Sequence, residues 1–121
     1  MPDSKKLSAE QRMLGDMSKD DFRDAAHRVA DLAADYLARL EGYDVLPKIA
    51  PGETRAKLPG TAPASPEPLD AILADYRSII EPFITHWQHP MFMGYFPSVA
   101  SGPGILGEWL SSTLNSNVMF W

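Results

Sequence analysis

The chain has 121 residues, of which 45% are apolar and 22% charged, with a net charge of −5 and no cysteine. This length suits one small domain, and the composition excludes a typical disordered chain, disulfides and thiolate metal sites. No dense basic cluster and no run of about 18 apolar residues occur, which argues against nucleic-acid and membrane partners.

Residues 1–17 are the predicted N-terminal tail. They lack apolar periodicity, so we expect a flexible segment there. The tail also lacks the apolar stretch of a secretory signal peptide. Together with the missing cysteines, this predicts a cytoplasmic location.

Residues 18–42 are predicted to form an amphipathic helix. Ser18 and Asp21 suit a capping box at its start, and Gly42 suits its end. Apolar residues recur at alternating steps of four and three, which is the period of one helix face. They are Phe22, Ala26, Val29, Ala33, Tyr36 and Leu40, with Leu32 and Leu37 widening the stripe.

Residues 43–68 contain six of the eleven prolines. Proline at this density excludes a continuous helix or a central strand and predicts an extended connector. A connector of this length often carries function or links separate bodies. It would allow the first helix to dock far from the second one, even on another subunit.

Residues 69–121 are predicted to contain two more helices with an irregular aromatic segment between them. The second helix runs from about Pro68 to Glu81, because Pro82 stops its apolar period. The segment Phe83–Ser101 is expected to be irregular and buried. The third helix starts near Gly102-Pro103, with proline in its first turn.

The last 44 residues, from Ser78 onwards, carry only two charges, Glu81 and Glu108, but eight of the twelve aromatic residues. A small domain leaves much of its surface in water, so such a stretch needs cover. We therefore expect truncation or an obligate partner, and self-association when the chain is expressed alone.

Three features of this stretch could carry chemistry, and each has a structural interpretation. His86 and His89 have a spacing that a metal could use, but hydrogen-bonded structural histidines are favoured over a metal site. Gly102-Pro103-Gly104 could bind an anion, but a tight turn into the helix is favoured. The aromatic residues around Tyr95 could stack on a planar ligand, although composition alone favours a core role.

The chain resembles the group II decarboxylases that depend on pyridoxal 5'-phosphate (PLP), which include aromatic-L-amino-acid, tyrosine and histidine decarboxylases. The resemblance covers residues 20–121. Its longest motif is His89-Pro90, Phe92 and Tyr95-Phe96-Pro97-Ser98, preceded by Thr85-His86-Trp87. Further matches are Asp35-Tyr36-Leu37, Val45-Leu46-Pro47, Pro51-Gly52, Leu58-Pro59 and Asn117-Val118-Met119-Phe120-Trp121.

The resemblance implies a mainly α segment, with three helices joined by the proline-rich connector and the aromatic loop. It would be the N-terminal part of a fold-type I PLP enzyme whose complete form is α/β. Such enzymes are obligate homodimers whose N-terminal helices wrap across the partner subunit. This assigns the dimer interface to Phe22, Val29, Tyr36 and Leu37.

The resemblance also implies site residues. The substrate pocket would be lined by Trp87, Tyr95, Phe96, Pro97 and Ser98, and the implied substrate is an amino acid of the aromatic class. Asn117 and Met119 would enter the pocket of the partner subunit. The chain departs from the family at Val118 and Met119, where aromatic decarboxylases often carry Gly and Phe.

In this family PLP acts as an electron sink while CO2 leaves the α-carbon of the substrate. The PLP-binding lysine and the other cofactor contacts of the family lie beyond the position of Trp121. None of the lysines present matches it: Lys5, Lys6, Lys19, Lys48 and Lys57. We therefore expect no catalytic residue in this chain, and neither tight PLP binding nor decarboxylation by the chain alone.

Two alternatives to a decarboxylase segment stay open on sequence grounds. One is a stand-alone helical module for dimerisation or regulation that pairs with full-length subunits. The other is a small helical protein that binds an apolar ligand in its aromatic segment.

Overall fold

The computed structural model describes residues 7–13, 15–96 and 100–116. Within these ranges the chain forms helices and turns and contains no β-strand. This confirms the predicted mainly α class. The α-helices are α1 (Ala9–Met13), α2 (Lys19–Arg39), α3 (Glu53–Lys57), α4 (Leu69–Asp75) and α5 (Gly102–Leu114).

The first predicted helix is confirmed as α2. Its N-cap is Ser18, whose hydroxyl oxygen accepts a hydrogen bond of 3.1 Å from the backbone N–H of Asp21. The Asp21 carboxylate accepts from the Ser18 hydroxyl at 2.6 Å, rather than from the backbone N–H that a capping box uses. A 3₁₀ turn over Leu40–Gly42 ends the helical path at the predicted glycine.

Two short helices were not predicted. In the segment expected to be a flexible tail, α1 is capped by reciprocal hydrogen bonds of 2.9 and 3.1 Å between Ser8 and Gln11. In the segment expected to be extended, α3 follows Gly52, which has a φ of +86°. Helices of five residues are too short to show an apolar period.

The second predicted helix is confirmed in position but changes type along its length. After α4 it continues as a π turn over Tyr76–Ile80 and a 3₁₀ turn over Glu81–Phe83. The backbone N–H of Glu81 bonds to the carbonyl of Tyr76, five residues earlier. Pro82, which has no N–H to donate, stands in the first turn of this 3₁₀ segment, where none is needed.

The third predicted helix is confirmed as α5. Ser101 is its N-cap and accepts a hydrogen bond of 3.2 Å from the backbone N–H of Gly104. Pro103 stands in the first turn, where no intrahelical donor is needed. The Gly102-Pro103-Gly104 motif therefore forms the expected tight turn into a helix.

Helix α2 contacts the second helix of its own chain. Arg28 on α2 forms an ion pair with Asp70 on α4. A groove of about 410 Å³ lies between α2, α4 and the start of α5, lined mainly by apolar side chains that include Leu32, Ile72 and Ile105. The long connector thus brings the two helices together within one chain.

Little of the described chain is buried. Among the described residues, Leu32 and Leu40 are the apolar side chains in the buried class. The expectation that Phe83–Ser101 is buried was wrong for this chain alone, since Met93, Tyr95 and Phe96 are exposed. No other described element covers these side chains. None of the described helices is long and apolar enough to cross a membrane.

The exposed apolar surface leads to a prediction about solution behaviour. We expect the 121-residue chain to self-associate at micromolar concentration, because large contiguous apolar patches favour association. Leu110→Lys, which places a charge on the exposed face of α5, should weaken this association in sedimentation velocity. Ser112→Lys, two residues away on the same helix, is the matched control and should associate as the wild type does. A compact wild-type monomer would contradict the prediction.

Candidate functional site

A buried polar cluster, formed by Tyr36, Tyr43, Glu81 and His86, connects α2 to the start of the aromatic segment. His86 is 2% exposed. Its Nδ1 lies 2.9 Å from the Tyr36 hydroxyl, and its ring stacks on Tyr43 with 4.4 Å between centroids. Its backbone N–H donates to the carbonyl of Val45 at 3.0 Å. His86 is therefore fixed from three directions.

Glu81 places a carboxylate in the same cluster, at 4% exposure. Its Oε1 accepts a hydrogen bond from the Tyr43 hydroxyl and lies 3.6 Å from the guanidinium of Arg39. Its Oε2 is buried with no hydrogen-bond partner among the described residues. A buried carboxylate needs hydrogen-bonding and charged partners, which Tyr43 and Arg39 provide at Oε1. Glu81 thereby connects Tyr43 and the end of α2 to the 3₁₀ turn.

Burial and hydrogen bonding set the protonation of the histidine and the two tyrosines in the cluster. Desolvation lowers the pKa of His86 from its ordinary value of 6.5, against an opposing effect of the Glu81 charge. The hydrogen bond to Glu81 raises the pKa of Tyr43, and burial raises the pKa of Tyr36. At neutral pH the histidine is thus uncharged, and both tyrosines keep the protons that they can donate.

Directly after the cluster, three aromatic rings form a stack that we call the aromatic stack: Trp87, Phe92 and Tyr95. The Trp87 ring lies 5.0 Å from Phe92, at an interplanar angle of 28°. It lies 5.8 Å from Tyr95, at an angle of only 10°. Trp87 is 48% exposed and Tyr95 86%, so the stack has open faces. Flat, open ring faces can receive a planar apolar group.

The backbone of the stack is constrained. Tyr95 has a φ of +54°, in the left-handed region that bulky residues rarely adopt. At Gly94, an added Cβ would lie 3.2 Å from the Phe92 ring, so the absence of a side chain lets that ring lie against the backbone. Unusual backbone at such a position is often found at functional sites.

The second histidine of the segment has a structural role. His89 is buried, and its Nδ1 accepts a hydrogen bond of 3.0 Å from the backbone N–H of Met91. The backbone N–H of His89 donates to the His86 carbonyl at 2.9 Å. The prediction of hydrogen-bonded structural histidines is confirmed. The described residues contain no group of three or more His, Asp or Glu placed to hold a metal.

The structure brings some of the predicted site residues together and leaves others apart. Trp87 and Tyr95 are neighbours in the aromatic stack, whereas Phe96 is fully exposed beside it. Pro97 and Ser98 lie outside the described residues, as do Asn117 and Met119.

The four residues assigned to a dimer interface separate into two kinds. Phe22, Val29 and Leu37 are exposed on α2. Tyr36 is partly buried, and its hydroxyl meets His86 of the same chain. An interface role for these four residues stays a prediction.

Sequence reasoning missed Glu81 and Tyr43 as parts of the site. Glu81 had a signal, since it is one of only two charges in the last 44 residues. Tyr43 had none, because its partners are 38 and 43 residues away in the chain. Phe92 was noticed in the motif but not as a member of the aromatic stack.

The described residues do not fit a PLP site. Lys19, Lys48 and Lys57 are all exposed. A lysine that binds an aldehyde needs an uncharged amine, yet the hydrogen bond and charge of Asp44 raise the pKa of Lys48. Lys57 lies over the Phe83 ring, 4.9 Å from its centroid. The described part of the chain therefore supplies aromatic surface rather than cofactor chemistry.

The site lies in a part of the chain that matches a known protein family. Residues 51–121 match the pyridoxal-dependent decarboxylase conserved domain. The chain belongs to this family. The resemblance found in the sequence motifs is thereby confirmed. The matched range includes α3, α4, the aromatic stack and α5.

Individual relatives agree with the family. The chain is 43% identical over 105 residues to an aromatic-L-amino-acid decarboxylase of Catharanthus roseus, and 44% identical over 105 residues to a phenylacetaldehyde synthase of Petunia hybrida. Each alignment covers 87% of this chain and 21% of the relative. This chain therefore spans about a fifth of the length of these relatives.

A solved structure shows the same local fold. The crystal structure of Catharanthus roseus tryptophan decarboxylase in complex with L-tryptophan superposes with a TM-score of 0.74 at 43% sequence identity. The superposition covers 93% of this chain and 22% of that chain. The helices described above are thus arranged as in the corresponding part of a pyridoxal-dependent decarboxylase.

The buried histidine predicts a specific dependence of stability on pH. Because the pKa of His86 is lower in the folded than in the unfolded chain, its contribution is fully present above about pH 6.5. It is lost as the pH falls from 6.5 towards the lower folded value, since the unfolded chain then binds the extra proton. Thermal unfolding of His86→Gln should lack this loss. An identical pH dependence in variant and wild type would contradict the assignment.

Proposed function

We propose that this chain is part of a PLP-dependent L-amino-acid decarboxylase, a carboxy-lyase that releases CO2 and an amine. The chain contributes a wall of the substrate pocket and part of a dimer interface. The observation that carries the proposal is the near-parallel pairing of Trp87 and Tyr95 in a segment that matches the decarboxylase family.

The proposed substrate is an aromatic L-amino acid. The 10° angle between the Trp87 and Tyr95 rings presents flat apolar surface to a ligand. A stacked aromatic contact contributes about 0.5–1.5 kcal/mol beyond the area it buries, which favours an aromatic side chain over an aliphatic one. Tryptophan is the bound amino acid in the similar Catharanthus roseus structure, which supports this substrate class.

The proposed cofactor is PLP, which supplies an electron sink for the electrons of the broken carbon–carbon bond. The described residues lack a fitting lysine, so the proposal assigns cofactor binding to residues outside them. We expect the 121-residue chain alone neither to retain PLP in gel filtration nor to decarboxylate amino acids.

The proposed partner is a second copy of the protein, in a homodimer through exchanged N-terminal helices. The apolar residues Phe22, Val29 and Leu37 on α2 support this, since each keeps more than a third of its surface exposed. Asn117 and Met119 are proposed to reach the partner's pocket. A cytoplasmic location, supported by the absence of cysteine, is part of the same proposal.

A second candidate reaction produces an aldehyde from the same substrate class. Its support is the 44% identity to a phenylacetaldehyde synthase, close to the 43% identity to an aromatic-L-amino-acid decarboxylase. Both reactions release CO2, but aldehyde formation is also a two-electron oxidation. Dioxygen would accept the electrons and leave as hydrogen peroxide, and the amine nitrogen would leave as ammonia. Quantifying amine and aldehyde from the protein expressed from its complete reading frame separates them.

The proposed substrate wall predicts the effect of Trp87→Ala in that complete protein. Removal of the ring should reduce kcat/KM for tryptophan or tyrosine by about tenfold or more, the factor that corresponds to about 1.4 kcal/mol of lost contact. The thermal midpoint should fall less than in Trp109→Ala, the matched control on α5, where the ring is partly buried. Similar losses of kcat/KM and of stability in both variants would indicate a packing role for Trp87. Absence of amine or aldehyde release by the wild type would overturn the proposed function itself.

A further inference from the structure

One side chain connects the aromatic stack to the start of α5. Gln88 directly follows Trp87, and its Oε1 accepts a hydrogen bond of 2.8 Å from the backbone N–H of Ala100, 12 residues later. We call this hydrogen bond the clasp. Gln88 is partly buried, and the nearby histidines on either side of it, His86 and His89, are both buried. The residue that makes the clasp thus stands in a fixed part of the chain.

The other end of the clasp is also fixed. Ala100 directly precedes Ser101, the N-cap of α5. The Ser101 carbonyl accepts a hydrogen bond of 2.9 Å from the backbone N–H of Ile105, and its hydroxyl oxygen accepts from Gly104. The clasp therefore joins the residue before the N-cap of α5 to the residue that follows Trp87.

Gln88 also lies at the meeting point of three elements. With Tyr36 of α2, Tyr76 of the π turn and Ile105 of α5, it lines the groove of about 410 Å³. At this meeting point the amide oxygen of Gln88 accepts its hydrogen bond from the Ala100 N–H. The side chain is thereby held in one direction.

We propose that Gln88 is a positioning residue for substrate binding. By joining Ala100 to the residue that follows Trp87, it restrains Tyr95, which lies between the two hydrogen-bonded residues in sequence. It thereby keeps the Tyr95 ring parallel to Trp87. This inference rests on the proposed function, in which these two rings receive the substrate side chain. Gln88 acts through the rings and touches no reacting atom.

The test distinguishes the effect of losing the acceptor oxygen from the effect of changing the size of the side chain. Gln88→Met has a similar length but lacks the acceptor oxygen, whereas Gln88→Glu keeps an oxygen that can accept from Ala100. Gln11→Met, at the exposed cap of α1, is the matched control for the same substitution elsewhere. All are made in the protein expressed from its complete reading frame. Amide hydrogen exchange of Ala100 and steady-state kinetics with tryptophan are measured.

In Gln88→Met we expect exchange of the Ala100 amide to accelerate about fivefold, the factor that corresponds to one hydrogen bond of about 1 kcal/mol. KM should rise by about the same factor, with a smaller change in kcat, because a positioned binding surface is lost rather than a reacting group. Gln88→Glu should restore slow exchange and most of the wild-type KM. Gln11→Met should match the wild type in both measurements.

Several results would overturn the inference. Unchanged Ala100 exchange in Gln88→Met would mean that the clasp does not hold the chain. Faster exchange with an unchanged KM, or an equal rise of KM in Gln88→Met and Gln88→Glu, would mean that the acceptor oxygen does not position the rings. If the wild type turns over no amino acid, the proposed function fails. The positioning role is tested independently by calorimetry: faster Ala100 exchange in Gln88→Met with an unchanged affinity for tryptophan would overturn it.

Discussion

The hydrogen bond between Tyr36 and His86 is the contact on which the site depends. It joins α2 to the turn that begins the aromatic stack, across 50 residues of sequence. The described chain has few buried apolar side chains, so packing alone contributes little to holding these parts together. Polar contacts in a protected cluster take over that role, and the stacking of His86 on Tyr43 adds to it.

This arrangement separates the support of the site from its open surface. In the buried polar cluster, desolvation keeps His86 uncharged at neutral pH. The next residue in sequence, Trp87, and Tyr95 are exposed, with surface open to a ligand or to further protein. A rigid base with an exposed aromatic surface is what a partial binding pocket requires. Membership of the pyridoxal-dependent decarboxylase family gives that surface a chemical context.

Several elements could be predicted from sequence because their signals are local. The apolar period and the caps predicted α2, and the proline and glycine at the start of α5 predicted that helix. The short helices α1 and α3 escaped because five residues show no period. The motif pointed to Trp87 and Tyr95, but their exposure could not be read from composition, which favoured a core role. The polar cluster was not predictable as a unit, because it joins two pairs of residues, Tyr36 with Tyr43 and Glu81 with His86, that lie far apart in the sequence.

The most direct test of this account is a double-mutant cycle on the contact between α2 and the turn. Tyr36→Phe removes only the hydroxyl, and His86→Phe removes Nδ1 while keeping a ring to stack on Tyr43. Urea unfolding of both single variants and the double variant gives their coupling free energy. The account predicts a coupling of about 1 kcal/mol, the net contribution of a typical hydrogen bond. A coupling of zero, with both single variants as stable as the wild type, would contradict it.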